Sequence, residues 1–342
     1  MRKSIVYILL VLTVVFTVGC TGEKREKDEM KHAVEQVKAH HIMDDYSFTI
    51  THGVGFPLPV ILFDGGLHVF MSSSFEEGKK VVESKGNYYM LYHGKIYKTD
   101  ASGSVEYDEH HHLTNAKPLD FSLTKNVVVI ILMSVLIFFV FRGVAKSYAG
   151  GDMPKKAGKF LEPIILFIRD DIAIPNIGKK HHARYMNYLL TVFFFIWFLN
   201  LAGMTPLGIS VTNNLAVTFS LALITLLITL FTANKYYWGH IFWMPGVPKP
   251  MRIILAPIEL LGVFIKPFSL MIRLYANMTA GHMVIMGLIG LIFVFQNWFA
   301  SGAFTLLTIA LSVLELLVAA LQAYIFTMLT ALYFGSAVEE HH

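Results

Sequence analysis

Five ionisable side chains interrupt the most apolar part of this sequence, and their types decide what chemistry that part can do. Glu259, Lys266, Arg273 and His282 fall in one apolar stretch and Glu315 in the next, accompanied by Asn277 and Gln322. A charge at the centre of a hydrocarbon layer costs about 3 kcal/mol or more, so such residues mark function by default. Arginine keeps its proton at any physiological pH, which makes Arg273 a fixed positive charge that must meet a negative partner or water. A carboxyl and an imidazole, here Glu315 and His282, are the types that exchange a proton near neutrality once buried, which suits a relay. At about 100° per residue, Glu259 and Asn277 both fall roughly 40° from Arg273, so one helix face carries all three, while His282 lies about 180° away. On the following stretch Ser312, Glu315 and Gln322 share a face, and Tyr333 aligns with them. The plainer readings are an internal ion pair of Arg273 with Glu259 or Glu315, interhelical hydrogen bonds for Asn277 and Gln322, and a snorkelling Lys266.

Those faces require helices in lipid, and the composition supplies them. Of 342 residues, 55% are hydrophobic and 15% charged, against about 45–50% and about 25% in soluble domains. Apolar runs at 123–141, 186–204 and 215–233 each approach the roughly 20 residues that cross a bilayer as helix. The segment after the first run carries nine basic residues, from Arg142 to Arg184, against four acidic ones, which places it on the cytoplasmic side. Within it Phe160, Leu161, Ile164, Ile165 and Ile168 recur at helical spacing, so 158–171 reads as an in-plane amphipathic helix. The link through Pro206, Gly208 and Asn213-Asn214 has no charge and lies outside; the Pro-rich loop through Lys249 and Arg252 has basic residues only and lies inside.

Two further runs are too long for upright spans. Residues 253–295 would extend about 64 Å as helix at about 1.5 Å per residue, twice the hydrocarbon thickness, and 303–335 has a similar excess. Pro257, Gly262 and Pro267 sit in no polar turn cluster, so tilted or curved helices satisfy both lengths, joined as a hairpin through the Gln296-Asn297-Trp298 corner. The expected fold is an all-α membrane protein of about five transmembrane helices with a cytoplasmic C-terminus, preceded by a small β-rich extracytoplasmic domain.

That domain is expected over 21–118, with the membrane domain over 119–342. Fifteen of the 24 acidic residues lie before residue 110. Pro59–Phe63, Asp64-Gly65-Gly66 and Leu67–Met71 read as two strands around a tight turn, and the runs 88–92 and 95–98 around His93-Gly94 repeat the form. The charged run 23–38 reads as a solvated helix or linker. Nine of the 15 histidines fall in the domain, including His40-His41 and His110-His111-His112; a contiguous run does not by itself fix a metal geometry, so they read as solvated surface. Residues 1–20 have the layout of an export signal and resemble a bacterial lipoprotein signal with Cys20 as the acylated residue; an uncleaved anchor helix is the other reading. One cysteine excludes a disulfide framework. Basic residues set between apolar runs rather than in a stripe exclude a nucleic-acid surface, and no GxxxxGK[ST] loop, HExxH or GxSxG is present, so no nucleotide site or hydrolase centre is expected.

The motif Ile272-Arg-Leu-Tyr-Ala-Asn-Met-Thr-Ala-Gly-His282, followed by Leu321-Gln-Ala-Tyr-Ile-Phe-Thr-Met-Leu-Thr330, resembles the signature of subunit a of F-type ATP synthases. The likeness extends over about 120–338, including Asn200. It implies a non-catalytic stator in a bacterial inner membrane, with no cofactor, partnered by lipid, by the peripheral stalk subunit b and by a c-ring whose carboxylates pass Arg273. Two aqueous half-channels would carry H+ or Na+ to the ring. Arg273 would be the essential charge, Asn277 and Gln322 its polar neighbours, and Glu259, His282 and Glu315 access-channel groups. Some bacterial members have Glu and His where this chain has His282 and Glu315, an exchange that keeps the pair. A stand-alone channel or secondary transporter is the competing class; a transporter would be expected to show internal repeats, and the sequence has none.

Overall fold

The computed structural model describes residues 44–51, 54–78, 80–92, 94–107, 113–148, 157–205, 211–243, 248–294 and 298–339. Cys20, the export signal, the charged run 23–38, His40-His41, His110-His111-His112 and the 296–297 corner lie outside them.

The N-terminal domain is built from short antiparallel pairs. β1 (Ser47–Thr51) pairs with β2 (Val54–Pro57). β3 (Pro59–Phe63) and β4 (Leu67–Met71) form the expected hairpin in the register Ile61↔Val69, with Gly65 in the left-handed conformation its turn requires. β5 (Val82–Ser84), β6 (Asn87–Tyr92) and β7 (Lys95–Thr99) make a second sheet. Alternation drives Val60, Leu62, Tyr89 and Ile96 inward with Tyr46 and Phe75. The other face of the first sheet leaves Phe63, Leu67, Val69 and Leu119 exposed. β8 (Leu119–Asp120) completes that sheet on β3, so it extends past residue 118, and Leu123 N donates to the Pro59 carbonyl just before the first long helix begins.

Among the described residues five helices are long and apolar enough to cross a membrane. They are α1 (Lys125–Ser147), α4 (His182–Gly203), α5 (Leu215–Thr232), α7 (Lys249–Val294) and α8 (Trp298–Val338). α7 runs unbroken for 46 residues and α8 for 41. Pro257 and Pro267 remove amide donors from α7, but a helix tolerates such losses in lipid when neighbours re-satisfy the freed groups. α4 occupies the centre, its Leu189, Phe194 and Ile196 fully buried and its Tyr185 stacked 4.6 Å from Phe334 of α8.

Three elements differ in extent from the sequence reading. α2 (Ala157–Phe167) does not end at residue 171; it continues through a π-helical turn, Ile168–Ala173, into the short α3 (Ile174–Ile177). Pro175 has no amide to donate, and Asn176 Nδ2 instead reaches the Ile172 carbonyl at 2.7 Å. This segment packs on the bundle through Leu161, Ile168 and Ile172, and at Gly335 of α8 a Cβ would stand 1.9 Å from the Asn176 carbonyl oxygen, so only glycine permits the approach. The Pro-rich loop contains α6 (Lys235–Phe242), whose Asn234 is tied to the end of α8 through the Ala337 and Val338 carbonyls. α1 ends six residues beyond the first apolar run, at Ser147.

Candidate functional site

Two polar groupings lie along α7, with Arg273 between them. The first gathers where α4 ends and α5 begins. A helix leaves its last four carbonyls without intrahelical donors, and α4 offers that of Gly203 to His282 Nε2 at 3.2 Å. The other ring nitrogen, Nδ1, lies 2.7 Å from Glu315 Oε1 of α8, both side chains under one-tenth exposed. A carbonyl only accepts, so Nε2 carries a hydrogen. At 2.7 Å Nδ1 and Oε1 share a hydrogen bond, so both ring nitrogens of His282 are engaged. Gly281 makes room for the pair: a Cβ there would stand 2.7 Å from Glu315 Oε1.

Around this pair, small polar residues satisfy one another. Thr212, in the 3-10 turn Val211–Asn213, donates to Asn200 Oδ1 at 2.9 Å, and Asn200 Nδ2 reaches the Ala319 carbonyl at 3.5 Å. Thr279 of α7 is hydrogen-bonded to Asn213 Oδ1 and, at 2.8 Å, to its own Tyr275 carbonyl. Asn213 Nδ2 is buried without a protein acceptor, the kind of donor that calls for water.

The second grouping lies at the opposite end. α6, the first turns of α7 and the end of α8 enclose a recess of about 170 Å³ lined by Tyr236, Tyr237, His240, Glu259, Val263, Lys266, Ser336 and Glu339. Burial pushes the Tyr237 phenol above its ordinary range, and the Glu259 charge adds to that. Lys266 is exposed on the helix and its Nζ lies 5.9 Å from the Tyr333 ring.

Arg273 is half-buried and Asn277 exposed on the flank of α7 away from His282, as the angular spacing requires. Among the described residues no carboxylate lies within ion-pair distance of Arg273, and Glu315 is already engaged by His282. The internal ion pair is therefore not formed. Gln322 is buried at 4% exposure seven residues beyond Glu315, and neither it nor Asn277 hydrogen-bonds to a described side chain. The structure thus unites His282 with Glu315 and puts Glu259 and Lys266 in one recess. Thr212, Asn213, Thr279 and the Gly203 carbonyl were not singled out from sequence; the uncharged link ending in Asn213-Asn214 was the one available signal.

A bundle of five apolar helices with ionisable groups buried on its two longest members defines a multi-pass membrane protein. The chain belongs to the ATP synthase A chain family, which matches residues 127–335, and so takes part in ATP-synthesis-linked ion transport within a membrane-sector complex. Residues 37–121 match a separate domain of unknown function (DUF8433). The chain is 35% identical over 337 residues to an ATP synthase subunit a of Anaeromyxobacter sp., covering 94% of this chain and 74% of that one. It is 42% identical over 232 residues to that of Anaeromyxobacter dehalogenans, 65% of this chain and 60% of the relative. To that of Myxococcus xanthus it is 42% identical over 231 residues, 66% and 75%.

Proposed function

We propose that this chain is the ion-translocating stator of a bacterial F-type ATP synthase, coupling H+ or Na+ flow to ATP synthesis at a c-ring. The observation that carries the reading is Arg273: a permanent charge on a membrane span with no acid beside it among the described residues. Its counter-charge must then come from another subunit, and a carboxylate on each ring hairpin supplies one that comes and goes. A stand-alone channel gives no reason to keep an unpaired guanidinium there.

The two polar groupings are the half-channels. The cluster of Asn200, Thr212, Asn213, Thr279, His282 and Glu315 is the extracytoplasmic path, with the His282–Glu315 pair passing one proton at a time. The recess at Glu259 is the cytoplasmic path. Along α7, Glu259 precedes Arg273 by 14 residues and His282 follows by nine, about 21 Å and about 14 Å of helix rise, so the paths stop short of each other with Arg273 between. Asn277 and Gln322 are polar neighbours of that barrier. α7 and α8 lie tilted as a hairpin, since upright they would far overrun the bilayer. Residues 1–20 are removed or anchored at Cys20, the domain expected over 21–118 is extracytoplasmic with β8 at 119–120 as its last strand, the chain beyond it to residue 342 forms the stator, and the C-terminus is cytoplasmic. Subunit b holds the chain against rotation.

The test is ATP-driven acidification of inverted membranes from wild type and Arg273→Ala, with assembly checked by co-purification. Pumping lost from an intact complex is expected; unimpaired pumping would overturn the reading.

A further inference from the structure

The N-terminal domain has no role in the reading above, yet it touches the bundle at one informative place. Phe48 of β1 packs into a small apolar cluster with Val129 of α1, Leu199 of α4 and Val211 of the 3-10 turn, all three buried. The domain is tied there by backbone as well: Lys125 N donates to the Asp45 carbonyl at 2.8 Å, and Asn126 N donates to Asp44 Oδ1 at 3.2 Å. Asp44 thus caps α1 from outside the helix, in the way a side-chain acceptor satisfies a free amide at a helix start.

Two residues under Phe48 are sequence neighbours of the polar cluster. Leu199 precedes Asn200, and Val211 precedes Thr212, so the Phe48 contact and the Thr212–Asn200 hydrogen bond of 2.9 Å are consecutive links on the same two segments. Next along the turn, Asn213 accepts from Thr279, one helical turn from His282. The turn is three residues long, and its Val211 is buried in one cluster with Val129 and Leu199, against which Phe48 packs. A packed cluster deforms little without cost, so displacing Phe48 frees the turn that aims two hydrogen bonds at the path.

We propose that the N-terminal domain is a clamp on the extracytoplasmic ion path, with Phe48 as the positioning residue that holds the 211–213 turn so that Thr212 and Asn213 engage Asn200 and Thr279. This rests on the reading of that cluster as an access path. The domain then acts on transport without supplying a group that touches the ion.

The experiment uses the full chain in the assembled complex. Passive proton flux through inverted membranes stripped of the peripheral catalytic sector is measured for Phe48→Ala, Phe48→Leu, Val211→Ala and the Phe48→Ala/Val211→Ala pair, each normalised to complex abundance. Phe63→Ala, on the exposed face of the same domain, is the control. Expected are a fall of roughly threefold to tenfold for Phe48→Ala, a similar fall for Val211→Ala, less than the product of both in the pair, and recovery of most flux in Phe48→Leu. Wild-type flux in Phe48→Ala, fully multiplicative effects in the pair, or an equal loss in Phe63→Ala would each overturn the clamp. If Phe48→Ala does not assemble, Val211→Ala and Phe48→Leu decide by the same criteria. Arg273→Ala in unstripped inverted membranes separates the two claims: if its ATP-driven acidification is normal the parent reading falls, whereas acidification lost in Arg273→Ala beside wild-type passive flux in Phe48→Ala removes the clamp alone.

Discussion

Arg273 and His282 sit nine residues apart on one helix and are treated oppositely by the chain. His282 has both ring nitrogens engaged, by Glu315 and by the Gly203 carbonyl, and is 7% exposed. Arg273 is half-buried with no acid beside it among the described residues. A polar group satisfied within its own subunit is part of that subunit's folding; one left open by the same helix is addressed to something else. On the proposed function, the contrast separates a pre-formed relay from a contact that another subunit completes.

Removing the imaginary symmetry between the two sites is a matter of mutation. Beyond Arg273→Ala, the largest effect is expected for His282→Ala, which leaves Glu315 buried without a partner, a change worth about 3–5 kcal/mol. Both complex abundance and acidification should fall, with pumping down by about tenfold or more, and His282→Glu/Glu315→His should pump better than either single change because it restores a pair. If His282→Ala assembles and pumps as wild type, the two sites do not differ as described. A smaller loss is expected for Gly281→Ala, whose Cβ forces Glu315 Oε1 from a position 2.7 Å away: acidification lower by roughly threefold to tenfold at near-normal abundance. The smallest is expected at Asp44, satisfied within the chain but outside the spans. Asp44→Ala should lower thermal stability by about 1 kcal/mol and Asp44→Asn by only a few tenths, since asparagine also caps.

Much of this architecture was legible in the sequence because periodicity and length are local properties. The Pro59–Phe63 and Leu67–Met71 strands are present as read, since alternation and a Gly turn specify them together. The opposition of Arg273 and His282 follows from helical repeat alone. β8 was not legible, because two residues carry no periodicity and its partner strand is more than fifty residues earlier. α6 was hidden by aromatic and Pro-rich composition that reads as loop. Thr212 and Thr279 were missed for a different reason: hydroxyls that bond across a bundle leave no charge pattern, and their partners are fixed only when α4, α7 and the turn are packed.

α7 carries Glu259 of the recess, Arg273 and His282 on one continuous helix. Their spacing is therefore a ruler set by helix rise, independent of the lipid around it. Lipids with longer or shorter acyl chains shift the two water boundaries along that ruler without changing the marks, so on the proposed function bilayer thickness governs how far water must reach to each path while the separation of the two groupings stays constant.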